Sequence, residues 1–353
     1  MRTGDKERKS ESMAATGTGP NTGPMTGSQT TNEPPVLVGD IGGTNARFAL
    51  AYPGRAGLHH LETLQCADYD NLDAAATAYL ARTGQPKVDD VCLAVASPIQ
   101  GTRVEMTNNH WRFDTAEVAH AMGWHQFRVL NDFLALALGM PQVAPEKLVK
   151  VCGGQGDPNR ARLVIGPGTG LGVAGLVPHQ GSWIALPSQG GHVEFAPRDG
   201  RELAILQILQ GQFGRVSAER ILCGAGLVNL YRAHAQIEGV DALFESPGDI
   251  LQAALASADP LARKTLEHFS EIMGRVAGDA ALTMGSLGGV YLCGGIIPRF
   301  VDFFCQSGFQ KAFEDKGRMR KLMEQTPVHI VTEPYAGLLG AAEALRMVDA
   351  IKG

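Results

Sequence analysis

The sequence predicts an α/β protein made of two units, each opening on a β-hairpin closed by glycines. Three observations carry this. The run "VLVGD" passes through "IGGTN" into "ARFALAY", strand to glycine turn to strand. About 125 residues later "ARLVIG" passes through "PGTGLG" into "VAGLV" in the same way. Around these hairpins, apolar strand-like runs alternate with stretches of helical periodicity, the pattern of a mixed α/β architecture.

The elements follow in order. Residues 1–35 contain no Val, Ile, Leu or aromatic residue. Such a stretch cannot bury enough apolar surface to offset the entropy of ordering, so a disordered tail is expected. It has no apolar core of a signal peptide, and Asp5, Glu7 and Glu11 argue against a transit peptide. After the first hairpin, residues 71–82 read as a helix and "DVCLAVASPI" as a buried strand. The strand "FRVL" then leads into a helix beginning at "NDFLALALGM". Beyond the second hairpin, "SWIALPSQGGHVEF" precedes a mainly helical stretch, 198–285, with helices expected near 202–210, 217–222, 226–236 and 260–284. "GGVYLCGG" is a strand ending in a glycine pair and "VHIVT" a last strand. "PYAGLLGAAEALRMV" is a terminal helix with Pro334 near its start.

Composition narrows the function. The 353 residues, 44% of them apolar, suffice for two domains with sizeable cores. With 31 basic against 36 acidic residues there is no cationic excess to neutralise a nucleic-acid backbone, so nucleic acid is not an expected partner. No apolar run approaches the ~18 residues of a membrane span, so no membrane is expected either. Cys66, Cys92, Cys152, Cys223, Cys293 and Cys305 are scattered, without a CxxC pair. They read as small buried hydrophobes in a reducing, cytoplasmic setting rather than as zinc ligands.

The dipeptide Gly-Lys never occurs, which excludes a Walker A loop. A GxGxxG match at Gly170, Gly172 and Gly175 lies within a strand-like run and opens no helix, so the dinucleotide reading fails. The glycine turns themselves are more informative. In "GDIGGTN" (Gly39, Asp40, Ile41, Gly42, Gly43, Thr44, Asn45), adjacent glycines let the backbone turn tightly and offer N–H groups to an anion. Thr44 adds a hydroxyl, and Asp40 is an acceptor suited to a hydrated Mg²⁺. The alternative for this segment alone is an ordinary hairpin turn. The second turn, with Gly168, Thr169 and Gly170, repeats the arrangement. Two such hairpins predict two clamps on one polyphosphate. Gly294 and Gly295 form a third glycine site, where a flat base or ribose could fit.

"DIGGTN", "GPGTGLG" and "CGGI" resemble the phosphate 1, phosphate 2 and adenosine motifs of the actin-like ATPase (ribonuclease H-like) fold, which includes sugar kinases. "MTNNHW", "NDFLALALGM", "GGHVEFAP", "VSAERIL", "GAGLVNLYRA", "GGIIPRF" and "AFEDKGR" look like the bacterial ATP-dependent glucokinases, over about residues 36–350. No Cys-rich zinc motif follows His192, unlike the neighbouring repressor/open-reading-frame/kinase group. The resemblance implies a small domain, 36–142, completed by the C-terminal helix 333–353. It implies a large domain, 143–332, with glucose in the cleft between the two. ATP and Mg²⁺ are the implied cofactors, and a homodimer the implied assembly.

The same resemblance assigns roles. Asp132 is the candidate general base, since phosphoryl transfer to an alcohol needs an acceptor for the hydroxyl proton. Read without it, Asn131 and Asp132 are equally a helix cap and a first-turn acid. Asn131, His192 and Glu219 match sugar-binding positions, and Asn108 is a weaker match. Glu219 alone reads as a surface acid of a helix, and Trp111 as packing. One position departs: the family carries glutamate three residues before the histidine, where this chain has Gln189. The amide still bonds hydroxyls but lacks the charge. Alternatives left open are a non-catalytic sugar sensor of the same fold and a kinase preferring another hexose, or ADP or polyphosphate as donor.

Overall fold

The computed structural model describes residues 33–97, 99 and 101–352, with side chains as far as residue 347. The expected disordered tail lies almost wholly outside the described residues.

The first hairpin pairs β1 (Val36–Ile41) with β2 (Asn45–Ala51), and β3 (His59–Gln65) extends it antiparallel. On its other side β1 runs parallel to β4 (Asp90–Val95), and β4 to β7 (Gln126–Asn131). The sheet order is β3-β2-β1-β4-β7. A separate ribbon pairs β5 (Arg103–Glu105) with β6 (Arg112–Asp114). The second sheet repeats the plan. Its hairpin joins β9 (Arg162–Pro167) to β10 (Leu171–His179), and β11 (Ser182–Pro187) extends it. On its other side β9 runs parallel to β12 (Gly289–Leu292) and β12 to β13 (Val328–Val331). The strand β8 (Leu148–Cys152) closes that edge antiparallel. β3 and β8 had little sequence signal, because each is an edge strand whose apolar residues are broken by polar ones; the edge strand β11 has an apolar run, "WIAL", between polar neighbours.

Helices cover both sheets. On the outer face of the first, α1 (Leu72–Arg82) and α2 (Thr115–Met122) bury Leu72, Tyr79 and Val118 with Phe48 and Leu93. Against the second sheet lies a thicker layer. Its long members are α4 (Gly200–Phe213), α5 (Gly224–Glu238), α6 (Pro247–Leu255) and α7 (Pro260–Met284). The short helices α8 (Val301–Gln306), α9 (Phe309–Glu314) and α10 (Arg320–Gln325) complete it. The helix expected near 217–222 is only a single 3-10 turn, Ala218–Arg220, while α6 carried a Pro-Gly start that hid it. All six cysteines are free thiols, and five are buried; Cys305 is exposed.

Two helices lie between the sheets: α3 (Asp132–Gly139) and α11 (Ala336–Lys352). Phe133 and Ala137 of α3 pack with Val164, Ala174 and Tyr291 of the second sheet. Leu338, Ala341 and Leu345 of α11 pack with Val38, Ala49 and Cys92 of the first. The two helices meet backbone to backbone, and a Cβ on Gly340 would collide with the Ala135 carbonyl oxygen. Gly340→Ala should therefore cost at least about 2 kcal/mol by overpacking. Gly200→Ala, at a position with nothing within 4 Å, should be neutral or raise stability by up to ~1 kcal/mol. Thermal unfolding of the two variants checks the contrast.

Candidate active site

The parallel strands β1, β9 and β12 end at the glycine turns, and β7 ends at α3. Open α/β sheets bind ligands at such carboxyl ends.

The first turn is closed by the Gly42 N–H donating to Asn45 O at 2.9 Å. Thr44 O accepts the Cys66 N–H at 2.8 Å, and Asn45 Oδ1 accepts from Gln65 Nε2 at 2.7 Å. Asp40, on β1, faces its cross-strand partner Arg47, whose guanidinium is 3.3 Å away. Burial pushes the Asp40 carboxyl up, and Arg47 pulls it down. The first turn of α11 lies beside it: a Cβ on Gly337 would stand 3.9 Å from Asp40 Oδ2. A helix N-terminus there favours negative charge.

Asp132 opens α3. Asn131 is the cap, and both Asn131 Oδ1 and Asp132 Oδ1 accept the Phe133 N–H at 3.0 Å. Asn131 Nδ2 also donates to Asp132 Oδ1 at 2.9 Å. The capping and chemical readings of this pair are therefore compatible. Burial pushes the Asp132 carboxyl up to about 6; the Phe133 N–H opposes this, and the nearby Asp40 charge adds to it.

In the second turn the Gly168 N–H donates to Gly170 O at 2.8 Å, and Gly168 O accepts from the Gly224 N–H at 3.0 Å. Thr169 is exposed at the tip. Behind it, Glu219 Oε2 accepts the Leu171 N–H at 2.8 Å. Glu219 Oε1 is 3.7 Å from His192 Nδ1. A side chain on Gly170 would strike Glu219, one on Gly172 the Phe133 ring, and one on Gly191 the Leu171 carbonyl. The three residues 170–172 thus touch α3, the His192 turn and the Glu219 turn at once. Glu219 is not the surface acid of a helix; it is half-buried and tied to a strand. Gln189 is exposed, and its carbonyl accepts the His192 N–H at 3.0 Å.

Asn108 stands elsewhere, against Gly43 of the first turn, where a Cβ would come within 2.7 Å of it. Trp111 is fully buried, as expected of packing, and donates to Tyr69 O at 3.0 Å. Gly294 is filled from behind by the Pro167 carbonyl, leaving Gly295 as the open member of that pair.

Three residues were assigned no role from the sequence, although Asn109 lies within "MTNNHW". Arg47 is Asp40's ion partner. Asn109 Nδ2 donates to Gly42 O at 2.9 Å. Arg215 donates to His192 O at 2.8 Å and pairs with Glu194 at 2.6 Å. The alternation of β2 could have singled out Arg47, since its register sets it opposite Asp40.

Two mixed sheets, each turning on glycines beside an ionisable helix start, define a sugar kinase of the actin-like ATPase fold. A family model, Glucokinase, matches residues 37–348. The chain is 60% identical to a glucokinase of Marinobacter nauticus over 309 residues, 88% of this chain and 96% of that one. It is 55% identical to a glucokinase of Hahella chejuensis over 310 residues, again 88% and 96%. The crystal structure of a glucokinase from an Antarctic psychrotroph superposes with a TM-score of 0.82 at 36% identity, covering 90% of this chain and all of that one. The chain belongs to the glucokinase family. Among the described residues, no helix is long and apolar enough to cross a membrane.

The raised Asp132 carboxyl has a thermodynamic consequence. It binds its proton more tightly folded than unfolded, so stability falls as pH rises from near 3.8 to about 6 and the full cost persists above. Asp132→Asn should stabilise the ligand-free protein by about 1–2 kcal/mol at pH 7.5, after allowance for solvent screening. The gain should vanish toward pH 4, as read by melting temperatures across pH.

Proposed function

We propose that this chain transfers the γ-phosphoryl group of ATP to the 6-hydroxyl of D-glucose, giving glucose 6-phosphate and ADP. The observation that carries the reading is Asp132: a carboxyl raised to about 6, at a helix start, beside both glycine hairpins. A base of that strength is ionised at neutral pH and still strong enough to accept a hydroxyl proton as the phosphoryl group arrives. Asn131 Nδ2 fixes one Asp132 oxygen, leaving the other for the sugar.

Glu219 and His192 are proposed to hold sugar hydroxyls together with Asn131 and Gln189, and Asn108 completes the set from the first turn. Glu219 has one oxygen on Leu171, so its other oxygen and His192 form a preset acceptor and donor pair. Residues 39–45 and 168–170 are proposed to cradle the phosphates, with Gly294 and Gly295 toward the adenosine. Chemically, Asp40 fits Mg²⁺ held through water. It is a single half-buried carboxylate, and no group of three metal-ligating side chains surrounds it among the described residues. Mg²⁺ in such a place keeps most of its waters and neutralises phosphate oxygens. We further propose the division into domains 36–142 with 333–353, and 143–332, closing on the sugar to exclude water. A cytoplasmic homodimer is the proposed setting.

A second reading is favoured by one observation. Gln189 carries no charge where the family has a carboxylate, which fits a sugar sensor or a kinase with a different hexose preference. Assays with ATP, ADP and polyphosphate against a panel of hexoses decide among these; no phosphorylation of any hexose would leave the sensor.

Asp132→Asn should lower kcat by about 10²–10⁴-fold, with glucose binding affected less. In the parent enzyme kcat/KM should fall about tenfold per pH unit below about 6, as Asp132 of the free enzyme takes up its proton. A variant keeping more than about a tenth of kcat would remove Asp132 from the role. Gln189→Glu should lower KM for glucose by about 5-fold or somewhat less, with kcat little changed, the mark of a uniform binding contact. An unchanged or higher KM would mean that the pocket is adapted to the amide.

A further inference from the structure

The first glycine turn is held from behind by Asn109, a side chain of the "MTNNHW" segment given no role so far. Asn109 Nδ2 donates to Gly42 O at 2.9 Å, and Asn109 Oδ1 accepts the Trp111 N–H at 2.8 Å. Trp111 is anchored in turn: its ring is fully buried and its indole N–H bonds Tyr69 O. The Cys66 thiol approaches the same Gly42 carbonyl at 3.7 Å. Gly42 O is thus gripped from the protein side by two groups on separate loops.

A trans peptide is planar, with its C=O and N–H pointing in opposite directions. Fixing Gly42 O toward Asn109 therefore fixes the Gly43 N–H away from it, on the other side of the turn. Among the described residues, neither the Gly43 nor the Thr44 N–H donates to any acceptor of the chain, whereas the Gly42 N–H is used by Asn45. Thr44 is exposed and its N–H is open to water, but Gly43 is half-buried, and half-buried backbone donors are rarely left free without purpose. Asn108 also packs against Gly43 so closely that no side chain fits there, which limits the turn's freedom to flip.

We infer that Asn109 is a positioning residue for the phosphoryl donor: it locks the Gly42–Gly43 peptide so that the Gly43 N–H is presented to a phosphate oxygen of the nucleotide. This rests on the reading of residues 39–45 as a phosphate cradle. Asn109 itself touches no reactant. Without its donor the peptide is restrained only by the long Cys66 contact and the Asn108 packing, so the N–H is less well ordered and nucleotide binding weakens by the cost of ordering it.

The test uses the full chain and steady-state kinetics with ATP and glucose varied separately. Asn109→Ala should raise KM for ATP by about 5–20-fold and leave KM for glucose within about twofold. Asn109→Asp keeps the acceptor for Trp111 but turns a carboxylate toward Gly42 O; its KM for ATP should rise at least as much. A merely structural loss would lower the active fraction, reducing kcat with both KM values unchanged, and would overturn the proposal. So would an equal rise in both KM values. Because Asn109→Ala can loosen the loop, the melting temperature and the summed fluorescence of the three tryptophans are read alongside; an unfolded variant shifts the test to Asn109→Asp and to Asn109→Ser, which retains a small donor and should lie between parent and alanine. Thr44→Ala separates the premise from the inference. If it raises KM for ATP while the Asn109 variants do not, the cradle stands and the positioning role falls. If neither changes it, the phosphate cradle itself is wrong.

Discussion

One carboxylate–amide bond organises the second half of the site: Glu219 Oε2 accepting the Leu171 N–H. It ties a one-turn helix to the first residue of a strand. The neighbouring glycines then let two more segments, α3 and the histidine turn, crowd the same spot, because nothing projects from Gly170, Gly172 or Gly191 to keep them apart. Phe133, one residue after Asp132, lies on Gly172. The candidate base, the histidine turn and the glutamate turn are therefore positioned against one short stretch of backbone. A backbone anchor is stiffer than a side chain, and catalytic groups held to a fraction of an ångström need that stiffness.

Electrostatics works against the fold here. Asp40 and Asp132 are two nearby carboxyls, each pushed up by burial. Among the described residues, Arg47 is the cation that pairs with them, at Asp40. The helix starts of α3 and α11 supply the remaining positive potential. Ionising both acids in the empty protein is unfavourable, and a cationic or proton-donating ligand relieves it. This is the usual conflict between a functional site and stability, concentrated in two residues.

Much of the architecture was legible in the sequence because its signals are local. The glycine turns between apolar runs stand in the chain as they stand in space, and "FRVLND" announces a strand feeding a capped helix. Edge strands β3 and β8 were not legible, since polar residues break their apolar runs, unlike those of β4 or β9. The helix expected at 217–222 shrank to one turn because Glu219 is drawn off to a strand amide, a tertiary contact that no local pattern records. The candidate site residues were legible through family motifs and only partly through chemistry. Arg47, Asn109 and Arg215 were invisible because their partners are backbone carbonyls or residues that become neighbours only when strands pair and loops fold over.

The helix pair α3 and α11 sets the order in which the chain can be completed. The inner face of the first sheet, with Val38, Ala49 and Cys92, is covered chiefly by residues 338–345. During synthesis that face remains bare until the end of the chain has left the ribosome. The second sheet, whose helical layer is built from residues 200–325, has all of its cover in hand earlier. The amino-terminal sheet is thus made first and finished last. In the interval it exposes an apolar surface with an unsealed β3 edge, the kind of intermediate that aggregates or recruits chaperones.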